Sequence, residues 1–573
     1  MPRSQNSPEP LNRRTLLTAG AAVAATATGA IHLLRSRDAV ASGAPADVPA
    51  SPASAAPQRS TPARPAPIAP TPAGTTLESV AVADGARQDG SYRKLTEGPG
   101  WAREVREELA PAVGGREERR RTLGAFVQFT DLHIVDTQHP LRHEYLRAET
   151  ASAWRPQETL SVHGTLSLID RVNALRHGPA TGAPLACVVT TGDNTDNNSR
   201  AELDWYLTAM SGGRITPNTG DPRGYEGVQN SGLPLYWHPE STLRDADKKL
   251  GYPRVDGLLT AATRRLTSPG LNIPWYSTVG NHDTLPGGCY ASGDSFFADL
   301  AVGDRKLMEL PREVSATLWR RVREGGDPRG EQFTALLKEY ARNARTVTPD
   351  PARAPFTPAE YVRAHLRSRY TGAGPRGHGY TEANLAEDRL YYTFRISDDL
   401  VGISLDTTRP GGHYTGAVGA AQLRWLEREL RAHRDTPALV FSHHTSASTP
   451  DGGDQLLEVL GRHPNVLAWI NGHSHKNAVT AHRGFWEVST ASHVDFPQLA
   501  RVVEVTDNRD GSYSLFTTLI ESAAPAGSAT GSFDRVELAS LYRELAHNAP
   551  GARRTLAGGA TDRNTELLVR RDG

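Results

Sequence analysis

Five short clusters in this chain combine residues that bind cations or move protons. They are Asp131-x-His133, Gly192-Asp193, Gly280-Asn281-His282-Asp283, Ser442-His443-His444 and Gly472-His473-x-His475. A carboxylate can bridge two cations, while neutral imidazoles and an amide oxygen fill the remaining positions of an N/O ligand set. Two cations roughly 3.5–4 Å apart clamp a phosphoryl group, stabilise the attacking and leaving oxygens, and lower the pKa of a shared water. No cluster is decisive alone. With 20 His in 573 residues, about one His-x-His pair is expected by chance, and a lone Asp131 or Asp193 reads more readily as a strand-end or N-cap residue.

The elements around the clusters make the case stronger. Each cluster closes an apolar run of strand length: 125–129, 185–190, 273–279, 438–441 and 466–470, with a further run at 401–405 ending in Asp406. Amphipathic stretches lie between them, at 158–175 and at 420–432, where Leu423, Leu426 and Leu430 share one face. Strands alternating with helices predict an α/β sheet whose site collects at strand C-terminal ends. Two long stretches, 198–272 and 284–389, interrupt the rhythm and read as insertions that shape a cleft. The aromatic residues of the first (Trp205, Tyr206, Tyr225, Tyr236, Trp237) are expected to fill that insertion's own core.

The five clusters, in this order and at these strand ends, resemble the calcineurin-like metallophosphoesterase superfamily. The resemblance implies a four-layer α/β/β/α sandwich of two mixed sheets over 79–521, interrupted by the two insertions. It also implies a phosphomonoesterase or phosphodiesterase acting through a metal-bridging hydroxide. Position by position, Asp131, His133, Asp193 and His475 would hold one metal, and Asp193, Asn281, His443 and His473 the other, with Asp193 as the bridge. His443 rather than His444 aligns with the family pattern. His282 resembles the family's non-ligand histidine, with Asp283 fixing its tautomer. Asp196 stands where a tyrosinate-ligating branch carries Tyr, so a coloured ferric site is not expected. Mn, Fe or Zn all suit the donor set. Runs at 486–490 and 501–505 resemble the family's closing strands, and 522–573 reads as a peripheral tail with one short helix.

The N-terminus reads as targeting sequence. Arg13-Arg14 precede a weakly apolar, Ala-rich stretch, 18–34, and Ala39-Val40-Ala41 offers a cleavage site. Residues 1–41 are therefore expected to be a twin-arginine signal, 42–78 an Ala/Pro/Ser-rich linker, and the protein an extracytoplasmic one that meets the twin-arginine translocase. Long inserts and this leader are together similar to a group of exported bacterial metallophosphoesterases. Lys+Arg 64 balances Asp+Glu 64, so no basic field suggests nucleic acid, and no stable membrane span is expected. Cys187 and Cys289 are too few for a disulfide scaffold, and whether they pair is left open. Arg409 and His378, in glycine-containing loops, are candidate substrate contacts. The competing reading is an exported envelope-binding protein that retains a metal site without turnover, its cleft blocked by the inserts.

Overall fold

The computed structural model describes residues 66–85, 91–293, 295–527, 531–552 and 554–570. The leader and the linker up to residue 65 lie outside the described residues. Two mixed sheets dominate. The larger has seven strands in the order Arg103–Leu109, Asn564–Arg570, Ser512–Glu521, Leu499–Asp507, Arg121–Phe129, Val188–Thr191, Trp275–Thr278. Its last three are parallel, as three β-strands joined by helical crossovers must be. The smaller has six strands in the order Tyr392–Ser397, Leu400–Ser404, Ala438–Phe441, Val466–Asn471, Trp486–Ser489, Ala478–Ala481. Leu400–Ser404, Ala438–Phe441, Val466–Asn471 and Trp486–Ser489 run parallel to their neighbours in that series.

Strand periodicity explains the layering. Along Ala438–Phe441, Leu439 and Phe441 enter the core between the sheets, where Phe441 meets Phe126 of the other sheet with ring centroids 5.6 Å apart. Ala438 and Val440 face outward onto the helix Ala420–Ala432 through Leu426 and Leu430, and onto Gly453–Gly461 through Leu456 and Leu460. The helices Ser161–Leu175 and Arg200–Ser211 cover the seven-stranded sheet with Val162, Leu166 and Ile169, and with Leu203 and Leu207. The result is an α/β/β/α sandwich of two mixed sheets. Central strands buried on both faces read as unbroken apolar runs, which is why the sequence marks them well.

Three boundaries differ from the sequence reading. The stretch 198–272 begins with the crossover helix Arg200–Ser211, whose Trp205 and Tyr206 join the main core instead of a core of the insertion's own, while Tyr236, Trp237 and Tyr252 pack in a second cluster shared with Trp154, Met308 and Leu541. The end of the expected linker is packed structure: Thr76 is buried and its hydroxyl sits 3.0 Å from both the Leu519 carbonyl and Asn564 Oδ1. The expected tail is integral. Helix Arg535–Asn548 buries Leu538, Leu541, Tyr542 and Leu545, and strand Asn564–Arg570 lies inside the seven-stranded sheet between Arg103–Leu109 and Ser512–Glu521. Its sequence, Asn-Thr-Glu-Leu-Leu-Val-Arg, offers only one short apolar run, and one of its two partners, Arg103–Leu109, comes from far earlier in the chain. Among the described residues no helix is long and apolar enough to cross a membrane. Cys187 and Cys289 are both buried and no disulfide joins them.

Deleting 564–573 is expected to leave the protein insoluble. It removes the buried side chains Leu567, Leu568 and Val569, each worth about 1.5–3 kcal/mol of burial, and leaves two strand edges unpaired. Soluble yield and thermal melting check this; a soluble variant with an unchanged melting temperature would refute it.

Candidate metal centre

All five clusters lie just past the C-terminal ends of strands, three from one sheet and two from the other, and their side chains meet. Asp193 Oδ2 is 3.1 Å from His443 Nε2 and 3.6 Å from His133 Nε2. Asp131 Oδ1 is 3.2 Å from His475 Nε2 and 4.0 Å from His133 Nε2. Asn281 Oδ1 lies 3.1 Å from His443 Nε2, and His473 Nδ1 lies 3.2 Å from that same nitrogen. The donor atoms of Asp131, His133 and His475 fall within 4.8 Å of one another, as do those of Asp131, Asp193 and His443. Every residue expected to ligate is therefore in the cluster.

The loops reach this arrangement through unusual backbone. Asp131, His133, Asp193, His473 and His475 all have positive φ, between 42° and 61°, a region that costs non-glycine residues free energy and is held only where surroundings enforce it. Glycines allow the loops to touch. A Cβ on Gly280 would lie 2.2 Å from Asp193 Oδ1, and one on Gly472 would lie 1.9 Å from Thr130 Oγ1. The reason for these two is close approach, not the turn conformation. Gly280→Ala is expected to displace Asp193 and lower turnover by about 10²-fold, the usual cost of a misplacement near 1 Å. Metal content measured on the same sample should fall with it; a fully loaded, active variant would contradict this geometry.

The electrostatics fit a cation. Asp131 Oδ1 and His133 Nε2 are buried and have no aligned hydrogen-bond partner, a state that costs free energy unless something else satisfies it. Burial opposes the charged form of His475 and His443, yet Asp131 and Asp193 respectively outweigh it and push the rings up to about 10 and about 9. Protons thus collect where a divalent ion would supply the same charge. Burial, reinforced by the charge on His443, pushes His473 down to about 3 and leaves it neutral. Each remaining imidazole nitrogen is committed: His443 Nδ1 to the Thr191 carbonyl at 2.9 Å, His133 Nδ1 to Asp196 at 2.9 Å, and His475 Nδ1 to Asp495 at 2.6 Å. His444 uses both nitrogens, on Thr407 Oγ1 and the Tyr414 carbonyl, which favours His443 as the ligand.

A cavity of about 410 Å³ opens onto the cluster, lined by His133, Asp193, Asn281, His282, His473 and His475. Its outer wall comes from 142–155, from Trp319 and Val322 of the second insertion, from Tyr414, and from Gly551 and Leu556 near the C-terminus. No described residue of 198–272 lines it, so the first insertion does not shape the cleft as the sequence suggested.

His282 borders the cavity, and its Nδ1 lies 2.6 Å from the Asp196 carbonyl. Asp283 does not touch that ring. Its carboxylate accepts from the backbone N–H groups of Gly280, Asn194 and Thr195 at 2.9–3.2 Å, because it sits in the one-turn helix Asn281–Thr284 and caps it. Asp283 thus ties two ligand loops together, and the Asp196 carbonyl sets the His282 tautomer. His378 is also corrected. It is fully buried, stacked on Trp275 with centroids 3.4 Å apart, with its ring nitrogens 3.3 and 2.8 Å from the Trp275 and Tyr370 carbonyls. Arg409 pairs with Asp451 at 2.7 Å and with the Gly416 carbonyl, outside the cavity wall. Neither is placed to read a substrate. Of the residues that surround the ligands, Arg142 and Arg155 were missed from sequence; Asp196 was marked only as standing where a tyrosinate would, and Asp495 only by following a core strand two residues after His493.

The stacked mixed sheets bring the donors together at a site that could hold two metal ions. No family model matches the chain. A stretch of 112 residues, 18% of this chain, is 28% identical to the probable glycerophosphodiester phosphodiesterase GpdQ of Arcobacter nitrofigilis and spans 41% of that protein, about two fifths of its length. Among solved structures the chain is similar to a dimetal phosphatase from Danio rerio, at 12% identity and a TM-score of 0.33, covering 70% of this chain and 100% of that one. It is also similar to the purple acid phosphatase PPD1 of yellow lupin, at 9% identity and a TM-score of 0.25, covering 74% of this chain and 53% of that one. With TM-scores below 0.5, the reading of the site rests on its own geometry.

Proposed function

We propose that the protein is a metal-dependent phosphoesterase that hydrolyses a phosphomonoester or phosphodiester outside the cytoplasm. The observation that carries this is the convergence of seven donors from five strand ends, with buried donor atoms left without partners, at the floor of an open cavity. Asp131, His133, Asp193 and His475 would hold one ion, and Asp193, Asn281, His443 and His473 the other. When bound, such ions supply charge neutralisation of the phosphoryl group and a water acidified enough to attack near neutral pH. The chain's own residues do the rest. The Asp196 carbonyl holds the ring through Nδ1–H, so that His282, once protonated at both nitrogens, presents Nε2–H to the departing oxygen and is left as the neutral Nδ1–H tautomer after the transfer. Burial of Asp131, His133, Asp193, Asn281 and His443 holds these donors in place, while His473 and His475 border the cavity from which substrate would enter.

The open cavity supports catalysis over the non-catalytic binding reading, which requires a blocked cleft. The deciding experiment loads metal-depleted protein with Mn²⁺, Fe²⁺ or Zn²⁺ and measures bound metal and turnover of p-nitrophenyl phosphate and bis(p-nitrophenyl) phosphate. Metal binding without turnover of any phosphoester would favour the binding protein, and no metal binding at all would sink both. Export rests on Arg13-Arg14 and the apolar stretch that follows. Fractionation of cells carrying the Arg13→Lys, Arg14→Lys double variant tests it; unaltered export would reject the twin-arginine route.

A further inference from the structure

Two of the donor histidines are held from behind in the same way. His133 and His475 both turn Nε2 toward Asp131, and both turn Nδ1 away to a carboxylate, Asp196 and Asp495. Neither carboxylate ends the chain of contacts. Asp196 Oδ2 accepts from Arg142 Nη1. Asp495 is gripped by the Arg155 fork, with Nε at 2.6 Å from Oδ1 and Nη2 at 3.0 Å from Oδ2. The two arginines also share a partner. Glu158 Oε2 accepts from Arg142 Nη2 at 2.6 Å and from the Arg155 backbone N–H at 3.1 Å. Backbone carbonyls of the same loop, Ala153 and Ser152, take further N–H groups of Arg142 and Arg155. By contrast, His443 rests on an uncharged carbonyl, that of Thr191.

We propose that Arg142 and Arg155 are positioning residues of the metal centre: through Asp196 and Asp495 they fix the tautomer and aim of His133 and His475. This rests on the metal-dependent reading above. The physical grounds are geometric. A carboxylate held by a guanidinium has its plane and both oxygens constrained, so the oxygen facing the imidazole stays in line with Nδ1–H. A histidine donating Nδ1–H to a carboxylate presents Nε2 as the lone pair and is a stronger donor for it. Each guanidinium also offsets the charge of its carboxylate, so the brace adds little net field to the cavity. Both arginines are only 4% exposed, which keeps the array from relaxing. They stand on the cavity wall, but these committed N–H groups make them poor candidates for reading a phosphate.

The test uses the full chain, metal-depleted and then titrated with Co²⁺, whose visible absorption reports ligand geometry. Arg155→Met and Arg142→Met are each expected to weaken cobalt binding by about 10–100-fold, the usual effect of removing a partner behind a metal ligand, and to alter the cobalt spectrum. Arg155→Lys should restore part of the affinity. Circular dichroism and melting of the metal-free forms separate this from misfolding, and Asp495→Asn, which keeps the shape, carries the test should either methionine variant fail to fold. Folded variants that bind cobalt as tightly as the parent, with the same spectrum, overturn the proposal. A parent protein that binds no cobalt overturns the metal reading itself.

Discussion

Replacing Asp193 by alanine is expected to abolish binding of at least one ion and to lower phosphoester turnover by on the order of 10³-fold or more. Asp193 stands between the donor sets: Oδ2 lies within 3.1–3.6 Å of His443 and His133, and Oδ1 accepts the His282 backbone N–H at 2.8 Å. Removing it takes a ligand from both positions and leaves the remaining imidazoles without the charge that gathers them. The loss of metal-derived stabilisation is worth several kcal/mol, and each 1.36 kcal/mol is tenfold in rate. Metal content by atomic emission, measured beside turnover, checks the result. A variant that keeps two ions and the parent rate would reject the assignment of the centre.

Replacing His282 by alanine should separate chemistry from metal. Its Nδ1 contact is to a backbone carbonyl, and the other donors it could share an ion with, His133 and Asp196, are already bonded to each other and, for Asp196, to Arg142. The expected outcome is a fall in kcat of about 10²–10⁴-fold, the range of a lost proton donor, with metal content unchanged. Phenyl phosphates with better leaving groups should lose less, because they need less help from a proton. Equal losses across leaving groups, or loss of metal, would show that His282 plays some other part.

How much of this was readable before the structure depended on locality. Asp131, His133, Asp193, Asn281, His443, His473 and His475 were identifiable because each follows the end of a strand by two to four residues, and their chemical types constrain one another. Two of the covering helices were readable from their apolar stripes, Ser161–Leu175 within the expected 158–175 and Ala420–Ala432 matching to the residue, whereas the crossover helix Arg200–Ser211 reads in sequence as the start of an insertion. Adjacency misled at Asp283, where the neighbour in sequence of His282 points to backbone amides instead. His378 looked available in its glycine loop, whereas the fold folds that loop under Trp275. Arg142 and Arg155 left no pattern at all, and Asp196 was marked only by its place after Asp193, since their meaning arises from contacts between loops that periodicity does not connect. The same holds for Asn564–Arg570, whose strand character is conferred by the two partners it joins.

That last strand has a consequence for how the molecule is born. Arg103–Leu109 pairs in parallel with Asn564–Arg570, which is made only after the whole of the intervening chain. The larger sheet therefore stays split, with one side of Ser512–Glu521 bare, until that strand has been synthesised. Such late, non-local closure is slow and exposes strand edges meanwhile, so a nascent chain should depend on chaperone cover until Asn564–Arg570 emerges.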